Sequence, residues 1–440
     1  MIDYQSSIPL YLQLYQSFKE GIINGEWPSD AKLPSIRSCS AKYNLSKTTV
    51  EKAYNQLTIE GFIETRPQSG TYVLPIKKRH EMTKKRDEPY FEEFVYRNTK
   101  QPKSTFDFSE FKRALHDVIH NHQDILNSPP KPMGEPTLKQ AIMHYLRQER
   151  SVKGHPSQVV IGAGMQTHLT TIANLIHKRR VGFLEPLFHH AKTILSLLNF
   201  TLVPCKTLDD LLKMDLDFIY ISPSNLYPSG DVIPFNDRMR LIDYAKIHHA
   251  YIIEDDYNYM YRHNAYQIPS IQSLSHNERV IYIGSFTRQL LPSFRLSYMV
   301  LPPHLIKTLA KHPPLTQTVS ILDQLTIATF IKRGGYQKLL KKLSTFSKKH
   351  NERMRELLKP LDKHDGIHVF GLNSNLHVLW QSNDQETLHL LVDTFTKFQW
   401  AYTTIEAWPN TLLLPYSGFT DDDFNRLKTM IETVNKSCNA

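Results

Sequence analysis

Only three cysteines, Cys39, Cys205 and Cys438, occur in 440 residues. They are odd in number, scattered and without CxxC spacing, so neither a disulfide framework nor a structural zinc site is expected, and the chain fits a reducing compartment. Also lacking is any apolar run near the ~20 residues that a bilayer span needs. The N-terminal stretch MIDYQSSIPLYLQLYQ has no basic start leading into an apolar core. These absences read as a soluble, cytoplasmic protein with no membrane partner. His116 and His120 stand four apart, a spacing that places both rings on one helix face. No carboxylate pattern accompanies them, so no metal is expected there. At 440 residues the chain exceeds what one hydrophobic core serves, and two or three domains are expected.

What is present begins with charge. The net charge is +10, which suits a polyanionic partner. Residues 1–75 hold seven Lys or Arg against seven Asp or Glu, yet five of the seven cations fall between Lys32 and Lys52. In the same stretch Leu10, Tyr11, Leu14, Tyr15, Phe18 and Ile22 recur at helical spacing, stopped by Gly25 and Pro28. Ser35 can cap a second helix through Tyr43, and Ser46, just after Asn44-Leu45, can cap a third. On the third, Val50, Ala53, Tyr54 and Leu57 make one apolar stripe, leaving Lys47, Thr48, Glu51, Lys52 and Asn55 on the other side. Gly61 ends it. Residues 62–65 and 71–74 then read as a two-stranded ribbon turning at Gly70. Helix, helix, tight turn, helix and hairpin is the order of a winged helix-turn-helix, whose last helix enters the major groove of duplex DNA. A small helical interaction domain with a solvated polar face is the alternative that spacing alone leaves open.

The stretch LPSIRSCSAKYNLSKTTVEKAYNQLTIEGFIETRPQSGTYV closely resembles the GntR-type winged helix. The resemblance implies operator DNA as the partner, contacted by Ser35, Arg37, Ser46, Lys47, Thr48, Thr49 and Gly70, and the polar face of the third helix adds Lys52 as a phosphate contact. Two positions depart from the pattern: Cys39 replaces an apolar residue, and Lys47 stands where arginine is common. Lysine keeps the phosphate charge and loses bidentate geometry. Beyond the head, residues 76–103 carry nine Lys or Arg against five Asp or Glu, without apolar period, which reads as a solvated linker over 76–104.

Past residue 105, apolar β-rich runs at 159–161, 218–221, 251–253, 280–283 and 298–301 alternate with helical segments. Such alternation implies a buried, mostly parallel sheet flanked by helices, with ligands at the C-terminal strand ends. Polar groups follow those strands: Gly162-Ala163-Gly164, Ser222 to Asn225, Glu254 to Tyr257, and Gly284 to Arg288.

Together these segments resemble the fold-type I pyridoxal-phosphate enzymes, and with the head they resemble the MocR/GabR regulators. The resemblance implies an α/β chain in three parts: a winged helix at 1–75, the linker, and an aminotransferase-like domain at 105–440. The last divides into a large subdomain over about 130–320 and a small C-terminal α+β subdomain over about 321–440. By the same resemblance IGAGMQTHL, with Gly162, Ala163 and Gly164, is the glycine-rich turn for the cofactor phosphate. Phe188 is the ring-stacking aromatic, Asn225 and Tyr227 lie beside the ring, Asp255 pairs with the pyridinium nitrogen, and Tyr257 reaches the phenolic oxygen. Ser285 belongs to the same pocket, and Arg295 is a phosphate-binding arginine.

Two departures bear on chemistry. The family segment GTFSKxLxPxxRxGY stands here as GSFTRQLLPSFRLSY, so Arg288 replaces the Schiff-base lysine. Arginine stays protonated and offers no free lone pair to a carbonyl. Pyridoxal 5'-phosphate would then be held non-covalently at most, through Arg288, or the pocket takes another ligand. Enzymes of this fold also keep an arginine near the C-terminus to clamp a substrate carboxylate, and TLLLPYSGF at 411–419 has none. The expectation is a non-catalytic, dimeric transcription factor whose large domain senses a small-molecule effector. An active aminotransferase and a ligand-free dimerisation scaffold are the alternatives.

Overall fold

The computed structural model describes residues 8–75, 106–257, 269–275, 278–287, 289–291, 293–312, 319–363 and 366–438, with Asp3, Tyr4, Ser6 and Tyr259. The expected linker and Arg288 lie outside the described residues. The chain divides into two compact units, 1–91 and 92–440.

The first unit holds helices α1 (Leu10–Asn24), α2 (Ile36–Tyr43) and α3 (Lys47–Ile59), then strands β1 (Ile63–Arg66) and β2 (Gly70–Val73). Each boundary has a local cause. Gly25 closes α1 in the left-handed region at φ 84°. Ser35 Oγ accepts from the Ser38 amide at the start of α2, and Ser46 Oγ from the Thr49 amide at the start of α3. Leu14, Phe18, Val50, Ala53, Leu57, Ile63 and Val73 share one small core. The ribbon is shifted by one residue from the expected spans, and it is not two-stranded throughout. Lys32 forms a further antiparallel bridge to Tyr72. Around it the Leu33 amide donates to the Thr71 carbonyl at 2.9 Å and the Val73 amide to the Ala31 carbonyl at 3.0 Å. A bare hairpin is marginal in water, and this third pairing braces it.

The second unit is built on a seven-stranded sheet of order β3-β9-β8-β7-β6-β4-β5. Its strands are β3 (Val159–Gly162), β4 (Arg180–Leu184), β5 (Thr201–Cys205), β6 (Phe218–Ile221), β7 (Tyr251–Asp255), β8 (Val280–Ser285) and β9 (Ser297–Val300). Only β9 runs against its neighbours. Two strands went unread in the sequence. β4 opens on an exposed Arg180 and holds Gly182, and β5 contains Pro204, which sheet edges alone tolerate, and β5 is the edge.

A second sheet of order β10-β11-β13-β12 is formed by β10 (Ile367–Phe370), β11 (His377–Ser382), β12 (Thr403–Ile405) and β13 (Trp408–Pro415). The helices Gln385–Lys397 and Asp421–Cys438 pack with it through Leu391, Phe395, Leu427 and Met430. The packing changes from one core to the other later than residue 320. Ile327, Phe330, Tyr336, Leu339 and Leu343 still belong to the core against β3 and β8, and the other core begins at Met354. Both cores are therefore served by one helix, Gly335–Leu358.

Candidate functional site

In the first unit the DNA-facing candidates fall on two helix starts and the ribbon turn. Arg37, Lys47, Thr48 and Lys52 are exposed, and Thr49 and Gly70 are half-buried. The Ser35 and Ser46 hydroxyls are engaged as caps, and Ser46 Oγ also meets Thr49 Oγ1 at 2.7 Å. They fix where the helices begin, and the neighbouring Lys47 and Thr48 project from a helix N-terminus, where backbone amides favour phosphate.

In the second unit the C-terminal ends of β3, β6, β7 and β8 lie along one sheet edge, joined by the start of β9: Ser297 pairs with Gly162 on one side and Ser285 on the other. At the β3 end Gly164 has φ 120° and ψ 176° and opens the helix Met165–Leu175 without a side-chain cap. A Cβ on Gly164 would stand 2.8 Å from Arg295 Nη2, so the turn carries a guanidinium directly over its glycine. Below the turn Ser297 Oγ donates to the Gly162 carbonyl at 3.0 Å and accepts from the Gly164 amide at 2.9 Å. His168 Nε2 meets the same oxygen at 2.8 Å. With the Ser297 proton committed to Gly162, His168 is assigned as the donor from Nε2. Burial pushes its pKa down to about 3 and keeps it neutral. Gly162 admits this arrangement, since a Cβ there would fall 2.7 Å from the His168 ring. Ala163 is half-buried.

Beside this turn a small cleft is lined by Leu184, Phe188, Tyr220, Ser222, Tyr227 and Asp255 among others. Phe188 and Tyr227 meet edge to face at 5.4 Å. Asp255 is buried and accepts from the Tyr220 hydroxyl. Burial and the Asp255 carboxylate hold the Tyr220 phenol well above its ordinary range, so it stays a donor. Asn225, buried in the turn between the lining residues Ser222 and Leu226, has an Nδ2 with no hydrogen-bond partner. A buried donor left unpaired costs about 1–3 kcal/mol, so this amide is a position to which a ligand acceptor would add stability. Tyr257 is half-buried, and Ser285 Oγ accepts from the Thr287 amide of its own loop at 3.1 Å.

A buried ionic network stands behind these groups. Arg150 Nε donates to Asp256 Oδ2 at 2.7 Å and Arg150 Nη2 to Ser224 Oγ at 2.6 Å, and the Tyr282 hydroxyl donates to Asp256 Oδ2 at 2.6 Å. Arg150 thus ties together the immediate neighbours of Asp255 and Asn225. Tyr220, Ser297, His168 and Arg150 were not singled out in the sequence. Arg150 is one of several polar letters at a helix end and the other three are isolated letters in their segments, and a sequence shows neither their burial nor their partners. Among the described residues no group of three or more His, Cys, Asp or Glu could hold a metal ion, and no helix is long and apolar enough to cross a membrane.

Comparison with known proteins places both units. Residues 10–73 match the family model of bacterial regulatory proteins, gntR family, and residues 98–397 match that of aminotransferase class I and II. The chain is 33% identical to the uncharacterised HTH-type transcriptional regulator YdeL of Bacillus subtilis (strain 168), over 84% of each chain. It is 29% identical to the probable rhizopine catabolism regulatory protein MocR of Rhizobium meliloti, over 78% of this chain and 76% of that one. Among solved structures it resembles the kynurenine aminotransferase of Pyrococcus horikoshii, with a TM-score of 0.67 and 20% identity over 77% of this chain and 90% of that one.

Proposed function

From the premise that the chain belongs to the MocR-type DNA-binding transcriptional regulators, a gntR-family winged helix joined to an aminotransferase class I and II domain, we propose that its large domain is a non-catalytic sensor of pyridoxal phosphate or a closely related aromatic phosphate. The observation that carries this reading is the buried, unpartnered Asn225 Nδ2 in the turn between two residues of the cleft that Asp255 also lines. An amide donor and a carboxylate, with Phe188 and Tyr227 as aromatic walls, suit a protonated pyridine ring bearing an acceptor oxygen. The Gly164 turn with Arg295 suits the phosphate. When bound, the group supplies an electron-withdrawing pyridinium. The residues that would exploit that property are not in place: Arg288 offers no nucleophilic nitrogen, and residues 411–419 contain no cation for a substrate carboxylate. The ring and phosphate are then recognised by non-covalent contacts alone.

The large domain also dimerises in this reading, so that two heads meet paired half-sites. Phe108, Ile119 and Ile125 stand exposed at the start of the second unit and give it an apolar surface to bury. The effector acts by differential affinity for two arrangements of the pair.

The test is an absorbance spectrum of the full chain with pyridoxal phosphate, before and after desalting, repeated on Arg288→Lys. The wild type is expected to bind reversibly and to lose the chromophore on desalting, and the lysine variant to retain a visible lysine-linked band. A desalting-resistant visible band in the wild type would overturn non-covalent recognition. No binding by either protein would remove the cofactor from the reading and leave a scaffold.

A further inference from the structure

The wing of the first unit carries two cations whose surroundings differ. Arg66, on β1, is held by two acids: Nη2 lies 2.7 Å from Asp30 Oδ1 and Nε lies 2.7 Å from Glu64 Oε1, and its guanidinium stands 4.5 Å from the centre of the Tyr72 ring. Its charge is compensated within the wing. Lys32 reaches the same place from outside the hairpin. Its bridge to Tyr72 puts it on the face of the small sheet that bears Tyr72, Glu64 and Arg66, since directly paired residues share a face and residues two apart along a strand do too. There the Lys32 ammonium lies 5.8 Å from the centre of the Tyr72 ring. Its Cε passes so close to Gly70 that a Cβ on that glycine would be only 2.8 Å away. Among the described residues Lys32 makes no ion pair with a carboxylate, and it is exposed.

The consequence concerns which charge of the wing meets the duplex. With its ammonium near the Tyr72 ring and the turn glycine, Lys32 stands where the wing would approach the backbone and has no carboxylate to leave on contact. Arg66 would first have to leave Asp30 and Glu64. We propose that Lys32, carried to the wing by the third strand pairing, is a phosphate-contacting residue of the DNA interface. The partner group is a phosphate of duplex DNA flanking the groove that the wing enters. This rests on the DNA-binding reading of the head and adds a residue that the helix-turn-helix pattern does not include.

The experiment uses the full chain and a duplex recovered with it by in-vitro selection from a random double-stranded library. Binding is followed by fluorescence anisotropy across a salt series. One lost phosphate contact lowers the slope of log affinity against log salt by about 0.9. Lys32→Ala is expected to show that shallower slope, with a loss of affinity largest at low salt. Lys32→Arg is expected to keep the wild-type slope, and Arg66→Ala to change it by less than half as much. An unchanged slope in Lys32→Ala, or a larger change in Arg66→Ala than in Lys32→Ala, overturns the proposal. Failure of the wild type to select any duplex overturns the DNA reading itself, which keeps the two failures apart.

Discussion

In the proposed function a single side-chain amide gives up stability for recognition. Asn225 keeps its Nδ2 unpaired in a buried turn, and leucine is close to it in shape without a donor to satisfy. Asn225→Leu is expected to leave the unfolding free energy of the second unit unchanged or raised by up to about 1 kcal/mol, while weakening pyridoxal phosphate binding at least about tenfold, the ratio that corresponds to one lost hydrogen bond of about 1.4 kcal/mol. Calorimetric titration beside urea unfolding reads both, and a variant that loses stability and keeps affinity would contradict the role given to this amide. His168 supplies a second residue-level prediction. Unfolded, it takes up a proton near 6.5; folded, it resists until about 3. The unfolded chain therefore binds more protons in between, so stability is full above 6.5 and declines as pH falls toward 3, by on the order of 5 kcal/mol at most. His168→Gln keeps an amide donor for Ser297 and removes this proton. It is expected to be less stable than wild type at pH 7 and to lose less between pH 7 and pH 5, as measured by urea titration with far-UV circular dichroism.

At the scale of elements, the β3 end and the helix after it form the proposed anion cup, whose geometry depends on one backbone conformation. Gly164 at φ 120° lies in a region that side chains rarely adopt, with Arg295 above it. Gly164→Ala is expected to cost about 1–3 kcal/mol in backbone strain and to abolish phosphate recognition by displacing the guanidinium. Ala163→Gly should alter stability by less than about 1 kcal/mol. Binding of pyridoxal against pyridoxal phosphate separates the two effects, since only the phosphorylated ligand should be sensitive to the cup. Much of this arrangement was legible in the sequence because it is written locally. Capping serines, the stripe Val50, Ala53, Tyr54 and Leu57, and the motifs around Gly164, Asn225 and Asp255 each occupy a few consecutive residues. What was not legible depends on distant partners. The bridge from Lys32 to Tyr72 joins residues forty apart, and the Arg150 network joins segments at 150, 224, 256 and 282. The edge strand Thr201–Cys205 was hidden by its proline, because sequence pattern does not say which strand of a sheet will be last.

Across the second unit the decisive element is the 24-residue helix Gly335–Leu358, which carries Tyr336, Leu339 and Leu343 into one core and Met354 and Leu358 into the other. The boundary near residue 320 that the family resemblance implies falls before this helix, and the helix itself has no internal break: its middle turns are polar on the outside, and Ser347 and Asn351 are buried within. Asn351 Nδ2 donates to the Leu372 carbonyl and to the Tyr416 hydroxyl, which fastens the midpoint to the smaller core. The helix therefore acts as a rigid connection, and unfolding of the two cores should be coupled through it. Lys349 is exposed at the middle of the helix, so Lys349→Pro removes one backbone hydrogen bond without deleting an apolar contact, at a local cost of about 3 kcal/mol. Three of the four tryptophans, Trp380, Trp400 and Trp408, lie in the smaller core region, the fourth being Trp27 in the head. Tryptophan emission thus reports mainly on that region, and far-UV circular dichroism reports on all helices. In the wild type the main urea transition is expected to coincide by both probes. In Lys349→Pro the emission midpoint should move to lower urea than the dichroism midpoint, because the smaller core loses its rigid attachment to the larger one. A variant in which both midpoints shift together would mean that the cores are held to each other by their other contacts, and that the helix transmits nothing between them.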